Sequence, residues 1–496
     1  MLQDGRTKIA VSLTEETTGA VVARMADLRD VADLFEVRAD FVRDLDLGAV
    51  LRARAKPILL TCRPESEGGR WPDRDHAARR RLLAEAVSRG VDLVDVEARS
   101  GFEDVIASKA GRGLVLSWHD FEGTPEDLDG VYARMAARHP DVVKIAVTAR
   151  SVADLGRLAA FARRHAGGRP RLVALAMGPL GVASRVLGGR FGAPFTFASA
   201  GAGREAAPGQ LTARALADTY RVRSVGPSTR VYGLLGSDVL RSLSPAIQNR
   251  AFAERGKDAV YVPLQAEALG PFVEALPALG LSGFSVTRPY KGEILAHLRG
   301  MTPSAAEAES VNTVVVEEDR LVGFSTDGDG VLVPLRRRVD PAGRTVAILG
   351  AGGAARAAAF ALVRAGARVS VLARRMEQAG QVAGATGAAA AGLDALDRLP
   401  WDVLVNATPV GSGAVPGECP VPPSALRPGT VVFDMVYEPR ETPLLAAARA
   451  KGCVAIDGVE MLVAQAVGQF EAWTGESAPV EAMTEAALAA IAEVPS

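Results

Sequence analysis

TVAILGAGGAARAAAFALVRAGARVSVLARR, residues 345–375, decides the fold of the second half of the chain. An apolar, β-branched run ends in Gly350-Ala351-Gly352-Gly353-Ala354, an amphipathic helical stretch follows, and a second strand closes at Arg374-Arg375. A bare Gly-x-Gly means little in a chain with 51 glycines. Placed between a strand and a helix, it lets the backbone approach a pyrophosphate at the helix N-terminus. A site for NAD puts an acidic residue after the second strand to bind the ribose 2′-hydroxyl, whereas arginines suit a 2′-phosphate. Arg374 and Arg375 therefore point to NADP(H), against the plain alternative of two solvated arginines in an Arg-rich chain.

Outward from this unit, strands are expected at 231–236, 259–265, 283–287, in a hairpin pattern over 312–327, and at 402–408, 430–436 and 453–457. That half reads as two α/β domains, 230–335 with 460–496, and 336–459 around the glycine turn. RVRSVGPSTR (221–230) is a polar, Gly/Pro/Ser-containing break, so a linker is expected at 223–229. Before it, eight apolar runs (9–13, 34–39, 57–62, 91–98, 113–118, 141–147, 171–177 and 194–198) alternate with helix-patterned stretches such as SVADLGRLAAFARRHAGG. Eight strands about 20–30 residues apart suit a (β/α)₈ TIM barrel over 1–222; an open doubly wound sheet shares the alternation but usually has fewer strands.

The composition excludes several classes. Of 496 residues, Lys and Arg total 57 against 58 for Asp and Glu. That balance argues against a nucleic-acid or membrane-surface protein, which needs a basic excess. Three cysteines give no disulfide framework and no C-x-x-C knuckle, and there is no H-E-x-x-H, so no metal site is read. No signal peptide and no membrane-length apolar run are read, and a cytoplasmic protein is expected. Only seven residues are lysine. Where Arg replaces Lys so freely, a lysine retained inside an apolar strand is there for its amine.

Lys144 is such a residue, flanked by Val142, Val143, Ile145 and Val147. Burial lowers a lysine pKa, and a neutral amine attacks a ketone to form a Schiff base. The other strand ends, where barrel enzymes place their working residues, hold Glu36, Arg38, Arg63, Glu67, His119 and Arg185. A salt-bridged barrel mouth with a snorkelling lysine is the plain alternative for any one of these, but a weak one for all at one barrel end. In the second half Ser242, Ser244, Thr287, Lys291, Asn312 and Asp327 gather hydroxyls, an amide, an amine and a carboxylate. They suit a small polyhydroxylated acid, and a Lys/Asp pair can deliver a proton to a carbonyl oxygen as hydride reaches the carbon. Taken alone, Ser-x-Ser-Pro is more often a helix cap and Lys291 more often a surface residue.

FEVRAD (35–40), TCRPESEGGR (61–70), LSWHDF (116–121), VVKIAV (142–147), SRVLGGRFGAPFTFA (184–198) and AAPGQ (206–210) resemble the type I 3-dehydroquinate dehydratases. The resemblance implies that Lys144 forms the imine, that His119 is the general acid/base assisted by Glu67, and that Glu36, Arg38, Arg63, Arg185 and Gln210 bind substrate. Ala206 stands where that family carries Ser. GLLGSDVLRSLSPAIQN, GFSVTRPYK, VNTVVV, STDGDG, LGAGGAARA, NATPVGS, FDMVYEPRETPLL and DGVEMLVAQA are similar to shikimate dehydrogenase over about 230–490. That likeness implies catalytic Lys291 and Asp327, substrate contacts from Ser242, Ser244, Thr287, Asn312, Tyr437 and Gln465, and NADP contacts that include Thr408 and Gly458. Arg241, Arg288 and Ser325 depart from that family's pattern and leave shikimate against quinate open.

The function these resemblances imply is dehydration of 3-dehydroquinate to 3-dehydroshikimate, then its reduction to shikimate with NADPH. Three readings compete: a quinate/shikimate dehydrogenase running oxidatively, a Schiff-base aldolase in the barrel, and a ligand sensor in one half. Intact Lys144, His119, Lys291 and Asp327 argue against a sensor, which has no need of two proton-transfer pairs.

Overall fold

The computed structural model describes residues 6–108, 113–318 and 320–492. They divide into two compact units, one built from the chain up to residue 240 with 258–281, the other from 241–257 with 282 onward. In the first unit β1 (Lys8–Leu13), β2 (Leu34–Arg38), β3 (Ile58–Thr61), β4 (Leu93–Glu97), β5 (Gly113–Asp120), β6 (Val142–Thr148), β7 (Arg171–Met177) and β8 (Phe195–Ser199) form one parallel sheet. Its order is β7-β6-β5-β4-β3-β2-β1-β8, so β8 returns to pair with the first strand, as in a (β/α)₈ barrel.

Side chains alternate along these strands, and that period decides what fills the interior. Leu34, Leu59, Leu93, Val115 and Val142 belong to one buried apolar cluster inside the sheet. Two residues further along the same five strands stand Glu36, Thr61, Asp95, Ser117 and Lys144, all buried. An apolar layer therefore floors a polar one. The helix Val152–Arg164 shows how the outer layer is set. Ser151 Oγ accepts from Asp154 N while Asp154 reaches back to the Ser151 amide, and Leu155, Leu158, Phe161 and Ala162 form its buried face.

Residues 223–229 are tied down within this unit. Val222 and Val225 are buried, Arg223 Nε donates to Asp33 at 2.8 Å, and Thr229 Oγ1 donates to Asp258 at 2.6 Å. β9 (Arg230–Gly236) and β10 (Ala259–Gln265) pair in parallel.

The second unit holds β11 (Leu281–Val286, entered from the first), β12 (Gly300–Met301), β13 (Thr313–Glu317) and β14 (Arg320–Phe324). β13 pairs antiparallel with both β11 and β14, and β12 joins β14 in parallel. Then come β15 (Thr345–Leu349), β16 (Arg368–Ala373), β17 (Ala389–Gly392), β18 (Val403–Asn406), β19 (Val431–Asp434) and β20 (Val454–Ile456). All six are parallel, in the order β17-β16-β15-β18-β19-β20. Numbered from β15, that is the 3-2-1-4-5-6 order of a dinucleotide-binding sheet, whose strand order reverses between β15 and β18. Ligands bind in the crevice outside the strand ends at that point. Among the described residues no helix is long and apolar enough to cross a membrane.

Candidate active sites

In the barrel, Lys144 is 6% exposed, with Nζ 3.2 Å from Asp95 Oδ2 and 4.1 Å from the Phe197 ring centroid. Burial pushes the amine below its ordinary pKa; Asp95 pulls the other way, and Arg63 adds to the lowering. His119 lies on the same face of β5 as Ser117, and its Nδ1 is 2.9 Å from Glu67 Oε2. Burial, then Arg63 and Lys144, hold the imidazole well below its usual range. Glu67 moves oppositely: burial raises its carboxyl to about 7, against the pull of Arg63. Gly68 ends the turn that carries Glu67 with φ +76°, and an added Cβ there would meet the Phe121 ring at 2.7 Å. The positive φ calls for glycine; the exposed Phe121 ring can shift aside.

Glu36 accepts from Ser12 and from Thr61 Oγ1 at 2.8 Å. Arg38 makes a bidentate pair with Asp40 at 2.9 and 2.6 Å. Arg63 is held at 2.8–2.9 Å by Glu97, Ser117 and Asp95, and Arg79 closes on the second Glu97 oxygen. Arg185 is fully buried with its Nε unpartnered, and burial drops its guanidinium to about 10. Its NH2 donates to the Pro208 carbonyl at 3.2 Å. Gln210 donates to Ser12 Oγ at 3.3 Å and accepts from Ala206 N. One end of the barrel thus holds an amine of lowered pKa, an acid–base pair and a buried guanidinium whose Nε has no partner.

In the second unit Lys291 Nζ is 2.5 Å from Asp327 Oδ2, while Asn312 Nδ2 donates to Asp327 Oδ1 at 2.9 Å and to Gln465 Oε1 at 3.3 Å. Ser242 Oγ donates to Ser244 Oγ at 3.1 Å, and Thr287 directly follows β11. Tyr437 follows β19; burial and Glu438 raise its phenol, against Arg288.

The crevice between β15 and β18 fits a dinucleotide. Gly350 has φ +109°, and a Cβ on it would press against the Ala407 carbonyl at 3.0 Å. At Gly352 and Gly353, which open the helix Gly353–Arg364, an added Cβ would meet nothing within 4 Å, so the space above the helix N-terminus is free. Arg374 and Arg375 follow β16, both exposed, so their guanidinium groups are free to meet a phosphate at the crevice rim. Thr408 is fixed by Asn406 Oδ1, which accepts its hydroxyl at 2.7 Å, and Gly458 opens the helix Gly458–Thr474.

Three family descriptions match the chain: type I 3-dehydroquinase over 9–227, shikimate dehydrogenase substrate binding domain over 234–314, and shikimate 5′-dehydrogenase C-terminal domain over 458–488. The chloroplastic bifunctional 3-dehydroquinate dehydratase/shikimate dehydrogenase of Arabidopsis thaliana is 36% identical over 479 residues, covering 91% of this chain and 79% of that protein. The chain belongs to the bifunctional 3-dehydroquinate dehydratase/shikimate dehydrogenase family. A Pyrococcus furiosus shikimate dehydrogenase (NADP(+)) is 41% identical over 277 residues, 54% of this chain and 99% of that one. A crystal structure of Thermus thermophilus shikimate 5-dehydrogenase with NADP(H) and shikimate matches with a TM-score of 0.50 and 35% identity, covering 53% of this chain and all of that one.

The dehydratase-like and dehydrogenase-like sites each contain residues that the sequence reading passed over. Asp95, Glu97 and Arg79 make the inner ion-pair network of the barrel. Their signal was available, since Asp95 and Glu97 alternate with valines in β4 just as Lys144 does in β6. Asp434 accepts from Asn406 Nδ2 at 2.9 Å and Thr442 Oγ1 at 2.6 Å, which fixes the amide that holds Thr408. Among the described residues no cluster of His, Cys, Asp and Glu could hold a metal ion.

Proposed function

We propose that residues 1–222 dehydrate 3-dehydroquinate to 3-dehydroshikimate and that residues 230–496 reduce that product to shikimate with NADPH, with 223–229 joining them. Within the second part, 230–335 and 460–496 bind the substrate and 336–459 bind NADP. The single observation that carries this reading is the buried, low-pKa amine of Lys144 facing Asp95 inside a barrel.

The neutral Lys144 amine attacks the ketone carbon, and loss of water leaves an iminium. The adjacent C–H becomes acidic because its electron pair can flow to nitrogen. His119 takes that proton, with Glu67 fixing its tautomer, and returns it to the hydroxyl that departs as water. Hydrolysis of the iminium restores the amine, so the net change is loss of one water. Arg185, with a free buried Nε, receives the carboxylate, while Glu36, Arg38, Arg63 and Gln210 shape the hydroxyl and carboxylate pocket.

In the second unit NADPH supplies a hydride when bound. Lys291, held by Asp327, gives a proton to the carbonyl oxygen as negative charge develops there. Ser242 and Ser244 bind the carboxylate; Thr287, Asn312, Tyr437 and Gln465 bind ring oxygens. Gly350, Ala351, Gly352, Gly353 and Ala354 hold the pyrophosphate, Arg374 and Arg375 the 2′-phosphate, and Thr408 and Gly458 flank the nicotinamide end. Purified protein given 3-dehydroquinate and NADPH should consume nicotinamide absorbance without a helper enzyme. No oxidation of NADPH with either 3-dehydroquinate or supplied 3-dehydroshikimate overturns the reading.

A further inference from the structure

Three elements bearing the proposed substrate contacts of the second unit meet in a buried amide cluster. Gln248 is wholly buried, and Gln469 and Ser285 nearly so. Gln248 Nε2 donates to the Ala466 carbonyl at 3.0 Å and to Gln469 Oε1 at 3.3 Å; Ser285 Oγ donates to the same Gln469 oxygen at 3.0 Å. One amide side chain therefore links the helix Ser244–Glu254 to the helix Gly458–Thr474, and Gln469 links that helix to β11.

Each contact lies one structural step from a proposed substrate residue. Gln248 is one helical turn after Ser244, Ser285 is two residues before Thr287 on the strand, and Ala466 directly follows Gln465. Gln465 in turn accepts from Asn312. Gln248 Oε1 is buried with no partner. For stability alone this is a poor use of the space, because a half-satisfied amide is worse than an apolar side chain of equal length. What the amide supplies is a directional link that fixes the spacing of three elements, which apolar packing would not specify.

We propose that Gln248 is a positioning residue of the second active site, setting through Gln469 and Ser285 the spacing of Ser244, Thr287 and Gln465 and hence the affinity for the ketone substrate. This rests on the reading above that those three residues contact that substrate. Gln248→Met and Gln469→Met in the full-length protein test it, since Met keeps the length and packing and removes the donors and acceptors. The KM for 3-dehydroshikimate should rise tenfold or more, while the KM for NADPH and the dehydratase rate stay within twofold. Tm should stay at or above that of the parent, and the double variant should be no worse than the weaker single one. Ser285→Ala, which deletes one hydroxyl, should raise the same KM about threefold and serves if either Met variant fails to fold.

An unchanged KM for 3-dehydroshikimate in every folded variant overturns the proposal. So does a lowered Tm with both KM values shifted equally, which assigns the cluster to stability. A parent enzyme that cannot reduce 3-dehydroshikimate sinks the site reading as well, so the two failures are distinguishable.

Discussion

Replacing Glu67 by Gln tests the proposed barrel chemistry most sharply, because this carboxyl is the partner of His119 Nδ1. Burial raises it to about 7, whereas His119 is kept neutral by burial and by Arg63 and Lys144. The pair therefore carries one exchangeable proton near neutrality. When Glu67 is ionised it accepts Nδ1–H of His119 and leaves Nε2 as a free base. Once protonated it donates to Nδ1, and the imidazole proton moves to Nε2. Roughly half the pair is competent at pH 7 and about one tenth at pH 6. The parent kcat/KM for dehydration should therefore climb about tenfold from pH 6 to its plateau. Glu67→Gln has nothing to titrate and no fixed tautomer, so that limb should flatten and the rate fall on the order of 10²-fold. Stability moves the other way. A folded-state pKa raised above the ordinary 4.5 contributes stability present below that value and lost as pH rises through about 7. At pH 8 the Gln variant should thus be more stable than the parent, by up to about 3 kcal/mol. Ultraviolet absorbance of the conjugated enone product and thermal melts at pH 5 and 8 measure both effects. A variant that keeps the parent's limb near pH 7, or loses less than threefold in rate, refutes the reasoning.

Lys144→Ala should abolish dehydration and leave reduction of supplied 3-dehydroshikimate intact; borohydride trapping should add mass to the Lys144 peptide, and mass on any other lysine would sink the assignment. Removing both guanidinium groups with Arg374→Ala and Arg375→Ala should raise the KM for NADPH tenfold or more and that for NADH far less, since a charged hydrogen bond to phosphate contributes ~1.5–3 kcal/mol. Equal use of the two cofactors by the parent would contradict this. Lys291→Ala should cut turnover in the reductive step by about 10²–10⁴ with little effect on the Kd for NADPH, because the proton is needed only in the transition state. Turnover within a few-fold of the parent would return Lys291 to a surface role.

The fold was legible wherever strands are β-branched. All eight barrel runs lie on observed strands within about two residues, because aliphatic residues dominate the first seven and Phe and Thr the eighth. β17 was not legible: its sequence is Ala-Ala-Ala-Gly, which has no strand propensity, and it exists because β16 offers an edge to pair with. The two-residue β12 carries no period at all. The sites were legible where a charged residue interrupts an apolar run, as at Lys144, or where a strand ends in a donor, as at Thr287. Asp95 and Glu97 interrupt β4 in the same way, yet acids are common enough here, at 58, that the interruption did not stand out. Gln248 and Gln469 were invisible because their role depends on three elements meeting, and no local pattern encodes that.

Asp95 explains why the barrel keeps both an amine and a carboxylate out of water. Burial alone would raise its pKa, but Arg63 and then Lys144 outweigh that and hold it well below the usual carboxylate range. In the proposed mechanism the Lys144 amine must be neutral to attack, and burial together with Arg63 favours that state. The proposed iminium must then keep its N–H proton to act as an electron sink, and the anion 3.2 Å from Nζ favours that charged state over the neutral imine without reorganisation. Arg63 donates to the same Asp95 oxygen, and its positive charge beside the amine opposes the pull of this anion toward an ammonium. Asp95→Asn should therefore slow imine formation less than the proton abstraction that follows, which depends on a stabilised iminium. Rapid-quench borohydride trapping separates the two: trapped enzyme should accumulate in Asp95→Asn while product appears slowly. A variant in which trapping and product fall together would show that Asp95 serves amine attack instead.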